Sequence, residues 1–250
     1  MSSTFGPYSR YYDLIYRDKD YARETVYLRA LIERFSPATQ DVLELGCGTG
    51  KHATLLAQSG LNMTGVERSE QMIAAAENLH DNVKIVHGDA RSVRLGTEFD
   101  TVLSLFHVVS YQTTNDDVAK IFETASTHLR KDGLFIFDVW YGPAVLRQLP
   151  APRLKQMEDD RTDVRRIADP KVDFNRNLVE VNYAIAVTDK SSGRVEQLNE
   201  CHRMRYFFAP EIDLFASSAQ MDVIHSEQWL DGAEPSPDTW GVTFILQKRT

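Results

Sequence analysis

Asp41-Val-Leu-Glu-Leu-Gly-Cys-Gly-Thr-Gly50 reads as a strand of buried type that runs straight into three glycines at alternate positions, Gly46, Gly48 and Gly50. Without a Cβ, glycine takes positive φ or lets a ligand lie against bare backbone. The next segment, Lys51 to Ser59, reads as a helix whose free N–H groups face the turn. The stretch therefore predicts a ligand site in a βα turn. A dinucleotide fingerprint, G-x-G-x-x-G, uses its third glycine for tight packing of helix on strand. Counted from Gly46, that position is Lys51, and the spacing here is G-x-G-x-G. This disfavours a nicotinamide-dependent oxidoreductase. Glu44, aimed into the turn, would repel a pyrophosphate and suit a ligand carrying an ammonium or sulfonium group.

Two further acids extend the pattern. Leu61-Asn-Met-Thr-Gly-Val-Glu67 reads as a second strand, and Glu67 stands about where a βαβ unit places a carboxylate to accept from both ribose hydroxyls. Val83-Lys-Ile-Val-His-Gly-Asp89 reads as a third strand ending in Asp89 and followed by Ala90. A single acid at a strand end is most often a helix cap, but Gly46, Gly48, Gly50, Glu67 and Asp89 in register form a set.

With this set the chain resembles the class I S-adenosylmethionine-dependent methyltransferases, whose first motif is a strand, an acid and G-x-G-x-G. The resemblance implies S-adenosyl-L-methionine as cofactor and places Asp89 and Ala90 against its adenine. It further implies contacts from Cys47, Arg68, Met72, Leu105 and Phe106. The N-terminal pattern Tyr8-Ser-Arg-Tyr-Tyr-Asp-Leu-Ile-Tyr16 with Lys19-Asp-Tyr21 is similar to that of glycine N-methyltransferases and of N-methyltransferases acting on nucleotide-linked amino sugars. There an N-terminal helix covers the cofactor, which implies that Tyr12 and Tyr21 contact its methionine end. Tyr8, Tyr11 and Tyr16 read instead as an amphipathic core face.

The periodicities describe an α/β fold. Residues 8 to 35 read as two helices, the second running from Tyr21 to Phe35. Strands at 41 to 45, 62 to 67, 83 to 87, 100 to 105 and 133 to 139 alternate with helices near 51 to 59, 69 to 78 and 115 to 130, which predicts a parallel sheet with helices on both faces. Pro143, Pro150 and Pro152 predict an irregular connection over 141 to 158, and residues 163 to 207 read as a β-hairpin turning at Asp189 to Gly193. A helix near 210 to 220 and strands near 221 to 229 and 240 to 248 follow. The resemblance implies a Rossmann-like seven-stranded sheet formed by residues 1–140 and 208–250. Residues 141–207 would then be an inserted antiparallel β lid over the acceptor site, or an extra sheet serving stability or a dimer contact.

Composition sets the class of partner. A chain of 250 residues with 42% hydrophobic content buries a full core as one elaborated domain. A net charge of −8 and a pI near 5.4 argue against a nucleic-acid partner, which calls for a cationic face. No apolar run approaches about 18 residues and the N-terminus lacks the regions of a signal peptide, so a cytoplasmic monomer or homodimer without membrane contact is expected. Cys47 and Cys201 form neither a disulfide framework nor a metal cluster. No set of carboxylates at the later strand ends suits a hard cation, so no metal is expected.

The loop after the fourth strand, His107-Val-Val-Ser-Tyr111, faces the transferring methyl group on this reading. Methyl transfer is an in-line displacement at an already activated carbon, so positioning supplies most of the acceleration. An amine acceptor need only arrive unprotonated, whereas a hydroxyl needs a base; His107 and Tyr111 are the candidates. Amino-sugar N-methyltransferases carry a histidine at about the position of Tyr111, a departure that leaves a hydroxyl acceptor with His107 as base beside an amine. Trp140 and Tyr141 offer a flat wall for a sugar or base, and His202, Arg203 and Arg205 could meet a phosphate-bearing or acidic substrate. The expected acceptor is a sugar or nucleotide-linked sugar, methylated on nitrogen or oxygen. A small amine or carboxylic metabolite, and a cofactor-binding regulatory protein without turnover, are the alternatives.

Overall fold

The computed structural model of the chain describes residues 12–76 and 78–249, with backbone alone at residues 12 and 13. Two helices come first, α1 (Tyr12–Ile15) and α2 (Tyr21–Phe35). The Asp20 carboxylate caps α2 by accepting from the Arg23 backbone N–H at 2.9 Å. Strands and helices then alternate: β1 (Asp41–Leu45), α3 (Lys51–Gln58), β2 (Asn62–Glu67), α4 (Glu70–Ala74), β3 (Val83–His87), β4 (Phe99–Ser104), α5 (Asn115–His128) and β5 (Leu129–Tyr141). The five strands lie parallel in the order β3-β2-β1-β4-β5. Strand order therefore reverses between β1 and β4, and the crevice at their carboxyl ends is where such a sheet holds ligands.

Beyond β5 come α6 (Gly142–Gln148), β6 (Arg153–Glu158), β7 (Thr162–Asp173), β8 (Leu178–Asp189), β9 (Val195–Phe207), α7 (Ala209–Ser218), β10 (Met221–Gln228) and β11 (Gly241–Lys248). β11 pairs antiparallel with β5 along seven residues, from Gly241 opposite Trp140 to Gln247 opposite Leu134, and β10 pairs antiparallel with β11. Residues 141 to 158 are ordered elements rather than the irregular connection expected. Pro143 falls in the first turn of α6, where its missing N–H costs nothing, and Pro150 and Pro152 sit between α6 and β6. The expected hairpin is accordingly a four-stranded antiparallel sheet, β6 to β9. Pro170 is tolerated within β7 because β6 pairs only as far as Ala168, leaving that edge of β7 unpaired at the proline.

The main sheet is covered on both faces, as its strand periodicity requires. Phe135, Phe137 and Val139 of β5 with Val242, Phe244 and Leu246 of β11 face α5 and α7, whereas Leu134, Ile136 and Ile245 face α2 and α3. Phe122, Phe135, Phe137 and Phe244 are at most 1% exposed, and each fully buried side chain of this kind contributes about 1.5–3 kcal/mol. Among the described residues the inserted sheet pairs with the main one at Trp140 opposite Tyr206 and Tyr141 opposite Phe207. Its other anchor is α1: Ile15 packs with Met157, Val164, Ile185 and Val187, and the Lys155 ammonium donates to the Ile15 carbonyl at 2.8 Å. The insertion thus bridges the end of β5 and the N-terminal helix across the crevice.

Candidate active site

The βα turn after β1 is built from three left-handed glycines, Gly46 (φ 79°), Gly48 (57°) and Gly50 (74°). The N–H groups of Gly46 and Cys47 donate to the Val66 carbonyl at 2.8 and 3.1 Å, which fixes the turn to the end of β2. Cys47 packs over the bare Cα of Gly65, where an added Cβ would meet its Sγ at 2.5 Å. A cleft of about 660 Å³ opens above the turn, walled by Glu44, Gly46, Cys47 and Gly48, by Glu67, Arg68 and Met72 after β2, and by Asp89 and Ala90 after β3. Gly50 stands outside that wall as the left-handed N-cap of α3, with Leu79 and Ile85 against its Cα.

Glu44 is 2% exposed, and its Oε2 has no hydrogen-bond partner among the described residues. Burial pushes its carboxyl up to about 8; Lys19 opposes the shift and Glu67 adds to it. Glu67 is better solvated by the chain: its Oε2 accepts from the Gly48 N–H at 3.0 Å and its Oε1 from the Ser69 N–H at 2.7 Å. Asp89 is clamped by Arg91, whose Nε and Nη2 donate at 2.9 and 2.6 Å while Nη1 reaches Asp117 at 2.7 Å. The Arg91 guanidinium holds the Asp89 carboxyl below its ordinary value.

The loop after β4 is strained where it turns toward the cleft. Phe106 (φ 60°) and His107 (φ 62°) are consecutive left-handed residues, a conformation that costs non-glycine side chains about 1–2 kcal/mol apiece. The buried Asp138 at the end of β5 holds this turn. It accepts from the His107 backbone N–H at 3.1 Å, and His107 Nδ1 lies 2.6 Å from its Oδ2. Burial would raise the Asp138 carboxyl, but the His107 contacts and the Lys19 charge leave it below its ordinary value. Leu105 and Phe106 reach the cleft wall; the His107 ring turns away toward Trp140, at 6.2 Å between ring centres.

Tyr111, in a 3-10 turn over Val109–Tyr111, does line the cleft. Its Oη lies 2.8 Å from His202 Nδ1, and His202 Nε2 lies 2.9 Å from the Glu200 carboxylate. Tyr21 lines the opposite wall, its ring 5.0 Å from that of His52 and 4.2 Å beneath the Lys19 ammonium. The Tyr12 side chain, like Tyr8 and Tyr11, lies outside the described residues.

Residues 42–133 match a family model described as a methyltransferase domain. The chain is 28% identical to a dTDP-3-amino-3,6-dideoxy-alpha-D-glucopyranose N,N-dimethyltransferase of Streptomyces fradiae over 89% of each chain. It is also 28% identical to a dTDP-3-amino-3,4,6-trideoxy-alpha-D-glucopyranose N,N-dimethyltransferase of Streptomyces venezuelae, over 86% of this chain and 90% of the relative. The chain is an S-adenosylmethionine-dependent methyltransferase. The fold of the methyltransferase is shared with the sugar N-methyltransferase KedS8 from Streptoalloteichus, at a TM-score of 0.82 and 21% identity over 100% of this chain and 98% of that one.

Three groups reach the methyltransferase site from distant parts of the sequence. Glu24 of α2 takes Lys19 and His52, the latter at 2.7 Å from a position 28 residues away; burial lowers the His52 ring, so it adds no charge near Glu44. Asp117 meets Arg91 from the first turn of α5, 26 positions along the chain. Cys201 and Arg203 of β9 enter the cleft wall from the inserted sheet, whereas Arg205 is buried against Glu211. Of the three basic residues of β9 singled out from sequence, only Arg203 is at hand for a ligand in the cleft. Among the described residues no helix is long and apolar enough to cross a membrane.

Proposed function

We propose that this methyltransferase methylates the amino nitrogen of a nucleotide-linked amino sugar, in the cytoplasm, as a monomer or homodimer without a nucleic-acid partner. The reach of the similarity carries this reading. An alignment over 89% of the chain necessarily takes in most of residues 141–207, so the likeness to sugar N,N-dimethyltransferases extends to the inserted sheet as well as the cofactor-binding half. In this reading the segment 141–207 is the lid that selects the acceptor. Arg203, half exposed at the cleft, supplies a cation for the acceptor's diphosphate, and the acidic surface of the chain as a whole favours a small ligand over a polyanion.

The residues present fit S-adenosylmethionine. A buried carboxylate oxygen without a partner, Glu44 Oε2, facing a cleft of adequate size, is the group an ammonium would satisfy. Glu67, with lone pairs left over on both oxygens, would take the ribose hydroxyls, and Asp89 with Ala90 would border the adenine. Tyr21, Met72, Leu105 and Phe106 would close the apolar flanks, with Gly46, Cys47 and Gly48 beneath. When bound, the cofactor supplies a methyl group activated by its sulfonium. The chain's part is then to hold the acceptor nitrogen in line with that methyl and to free its lone pair, a task of position and of one proton.

The test is turnover with purified dTDP-linked amino sugars, their hydroxyl counterparts and simple amines, read by mass spectrometry and by release of S-adenosylhomocysteine. Methylation of the amino sugar alone is expected; methylation confined to the hydroxyl sugars or to simple amines would sink the proposal. Glu67→Ala is expected to weaken S-adenosylmethionine by about 1.5–3 kcal/mol, the scale for a hydrogen bond to a charged group, in calorimetry. Glu67→Gln should retain part of that, since it still accepts from Gly48. An unchanged affinity in the alanine variant would remove Glu67 from the ribose site.

A further inference from the structure

Tyr111 is the one polar side chain of the loop after β4 that both lines the cleft and connects to a buried chain of titratable groups on the inserted sheet. Its hydroxyl meets His202 Nδ1 at 2.8 Å, and His202 Nε2 meets Glu200 Oε2 at 2.9 Å. His202 and Glu200 are two residues apart on β9, so the strand period puts them on one face, and they are 3% and 6% exposed. A carboxylate buried this deeply costs several kcal/mol unless a cation forms beside it. Glu200 Oε1 has no hydrogen-bond partner among the described residues, so half of this buried carboxylate is left unsatisfied. An inward glutamate contributes little to packing; beside a histidine that reaches the cleft through a phenol, it does something further.

We propose that Tyr111, His202 and Glu200 form a proton relay that deprotonates the acceptor ammonium, with Tyr111 as the group touching substrate and His202 and Glu200 as positioning and proton-holding residues behind it. The inference rests on the amine reading of the acceptor. In the resting state His202 is neutral, with its proton on Nε2 donated to Glu200 and its Nδ1 accepting from the Tyr111 hydroxyl. The acceptor ammonium gives a proton to Tyr111 Oη as the phenolic proton passes to His202 Nδ1. The result is a neutral amine with a free lone pair, a neutral tyrosine, and an imidazolium against the Glu200 carboxylate. No phenolate forms, in keeping with a phenol that burial, and the neighbouring Tyr16, Tyr183 and Glu200, hold well above its ordinary value, with Arg166 opposing. After product leaves, the proton returns by the same path to water in the cleft.

Other described groups face the relay. From the turn after α1 and from β8, Tyr16 and Tyr183 approach, the Tyr183 ring edge-on to His202 at 4.9 Å between centres. From β7, Arg166 lies over the Tyr183 ring at 4.9 Å and contributes positive charge to Tyr111 and its surroundings. Glu200 is the carboxylate within hydrogen-bond distance of the His202 ring, so removing its charge takes away an anion that stabilises the imidazolium.

The deciding experiment is the pH dependence of kcat and kcat/KM for Tyr111→Phe and Glu200→Gln in the full-length enzyme with saturating S-adenosylmethionine. Tyr111→Phe should lower kcat roughly tenfold to a hundredfold near neutral pH with little change in KM, and the deficit should close at alkaline pH, where the amine arrives already deprotonated. Glu200→Gln should move the acid limb of the profile to lower pH by about one unit, because its imidazolium has lost the carboxylate. A deficit that is the same at every pH, or one confined to KM, would overturn the relay and leave a structural contact. Heteronuclear NMR of the imidazole gives a readout without turnover: the wild-type ring should be neutral near pH 7 with its proton on Nε2, and a resting imidazolium would overturn the proposal even if the acceptor proves to be a hydroxyl. Unchanged melting temperature and S-adenosylhomocysteine affinity in both variants exclude misfolding. Failure of the wild type to methylate any amino sugar would instead reject the amine reading, so the two outcomes are distinct.

Discussion

Glu44→Gln is expected to weaken S-adenosylmethionine binding by about 3–5 kcal/mol, a loss of roughly a hundredfold to several thousandfold, because it leaves a buried ammonium without its counter-ion. The substitution preserves shape, so the fold should survive it. Its pH signature is the stronger test. In the ligand-free protein burial lifts Glu44 to about 8 from an ordinary value of 4.5. A carboxyl raised in the folded state holds a proton there that the unfolded chain has released. Its contribution is most favourable below about 4.5, and stability falls by about 1.4 kcal/mol per pH unit as pH climbs from there to about 8. Cofactor binding reverses the preference, since an ammonium partner requires the carboxylate. Affinity should therefore rise about tenfold per pH unit through that window and level off near 8. Isothermal calorimetry at several pH values, in buffers of different ionisation enthalpy, would show a proton released on binding to the wild type and none in Glu44→Gln. A wild-type affinity that is flat from pH 5 to 8 would mean that Glu44 is ionised before the ligand arrives.

Stability of the free protein should move in the opposite sense. Glu44→Gln removes the cost of ionising a buried acid, so above about pH 8 the variant should melt higher than the wild type, whereas below about pH 4.5 that advantage should vanish. An enzyme that gains stability and loses cofactor through one substitution has its buried charge reserved for a ligand.

The cofactor half of the molecule was legible in the chain because its signals are local. Strand period, an acid and three alternate glycines occupy Asp41 to Gly50, and the Glu67 and Asp89 positions follow from the length of a βα unit. The inserted sheet and its contacts were not, for identifiable physical reasons. Prolines at 143, 150 and 152 suggest disorder of pattern, yet they fall in a first helical turn and between elements, where they break nothing. Asp89 reads as an open ligand carboxylate, but Arg91, two residues on, folds back to it and is itself held by Asp117. Tyr111 could be singled out from its loop, whereas its partner His202 lies 91 residues away on a strand whose alternation declares only which face it occupies. His107 shows the converse. Its place after β4 suggests a base, and the structure turns its ring onto Asp138, where it supports two left-handed residues instead of facing the cleft. Contacts set by sheet order are invisible to period, and the proposed relay is built from such contacts.

That dependence on close approach makes the glycine turn the most fragile feature of the site, and Gly46→Ala should expose it. At Gly46 (φ 79°) a side chain meets both conformational strain and a wall: an added Cβ would fall 2.8 Å from both γ-methyls of Val108. The left-handed backbone costs about 1–2 kcal/mol and the overpacking about 1–3 kcal/mol more, so a loss of roughly 2–5 kcal/mol in stability is expected. Val108 caps the 3-10 turn that carries Tyr111, so relief of the clash displaces the Tyr111 wall of the cleft as well as the glycine turn. Cofactor affinity and turnover should fall together. Gly48 offers the contrast, since at φ 57° it has nothing within 4 Å of the added atom. Gly48→Ala should therefore pay the conformational term alone and lose about 1–2 kcal/mol. The double variant Gly46→Ala/Val108→Ala removes both γ-methyls and leaves the Val108 Cβ at 3.4 Å, which is tight but tolerable. It should recover most of the packing loss while keeping the strain, bringing Gly46→Ala down to the level of Gly48→Ala. Denaturant unfolding of the three variants, with wild type and Val108→Ala completing the cycle, measures each contribution. If Gly46→Ala is no worse than Gly48→Ala, the contact with Val108 does not hold the turn against the acceptor loop.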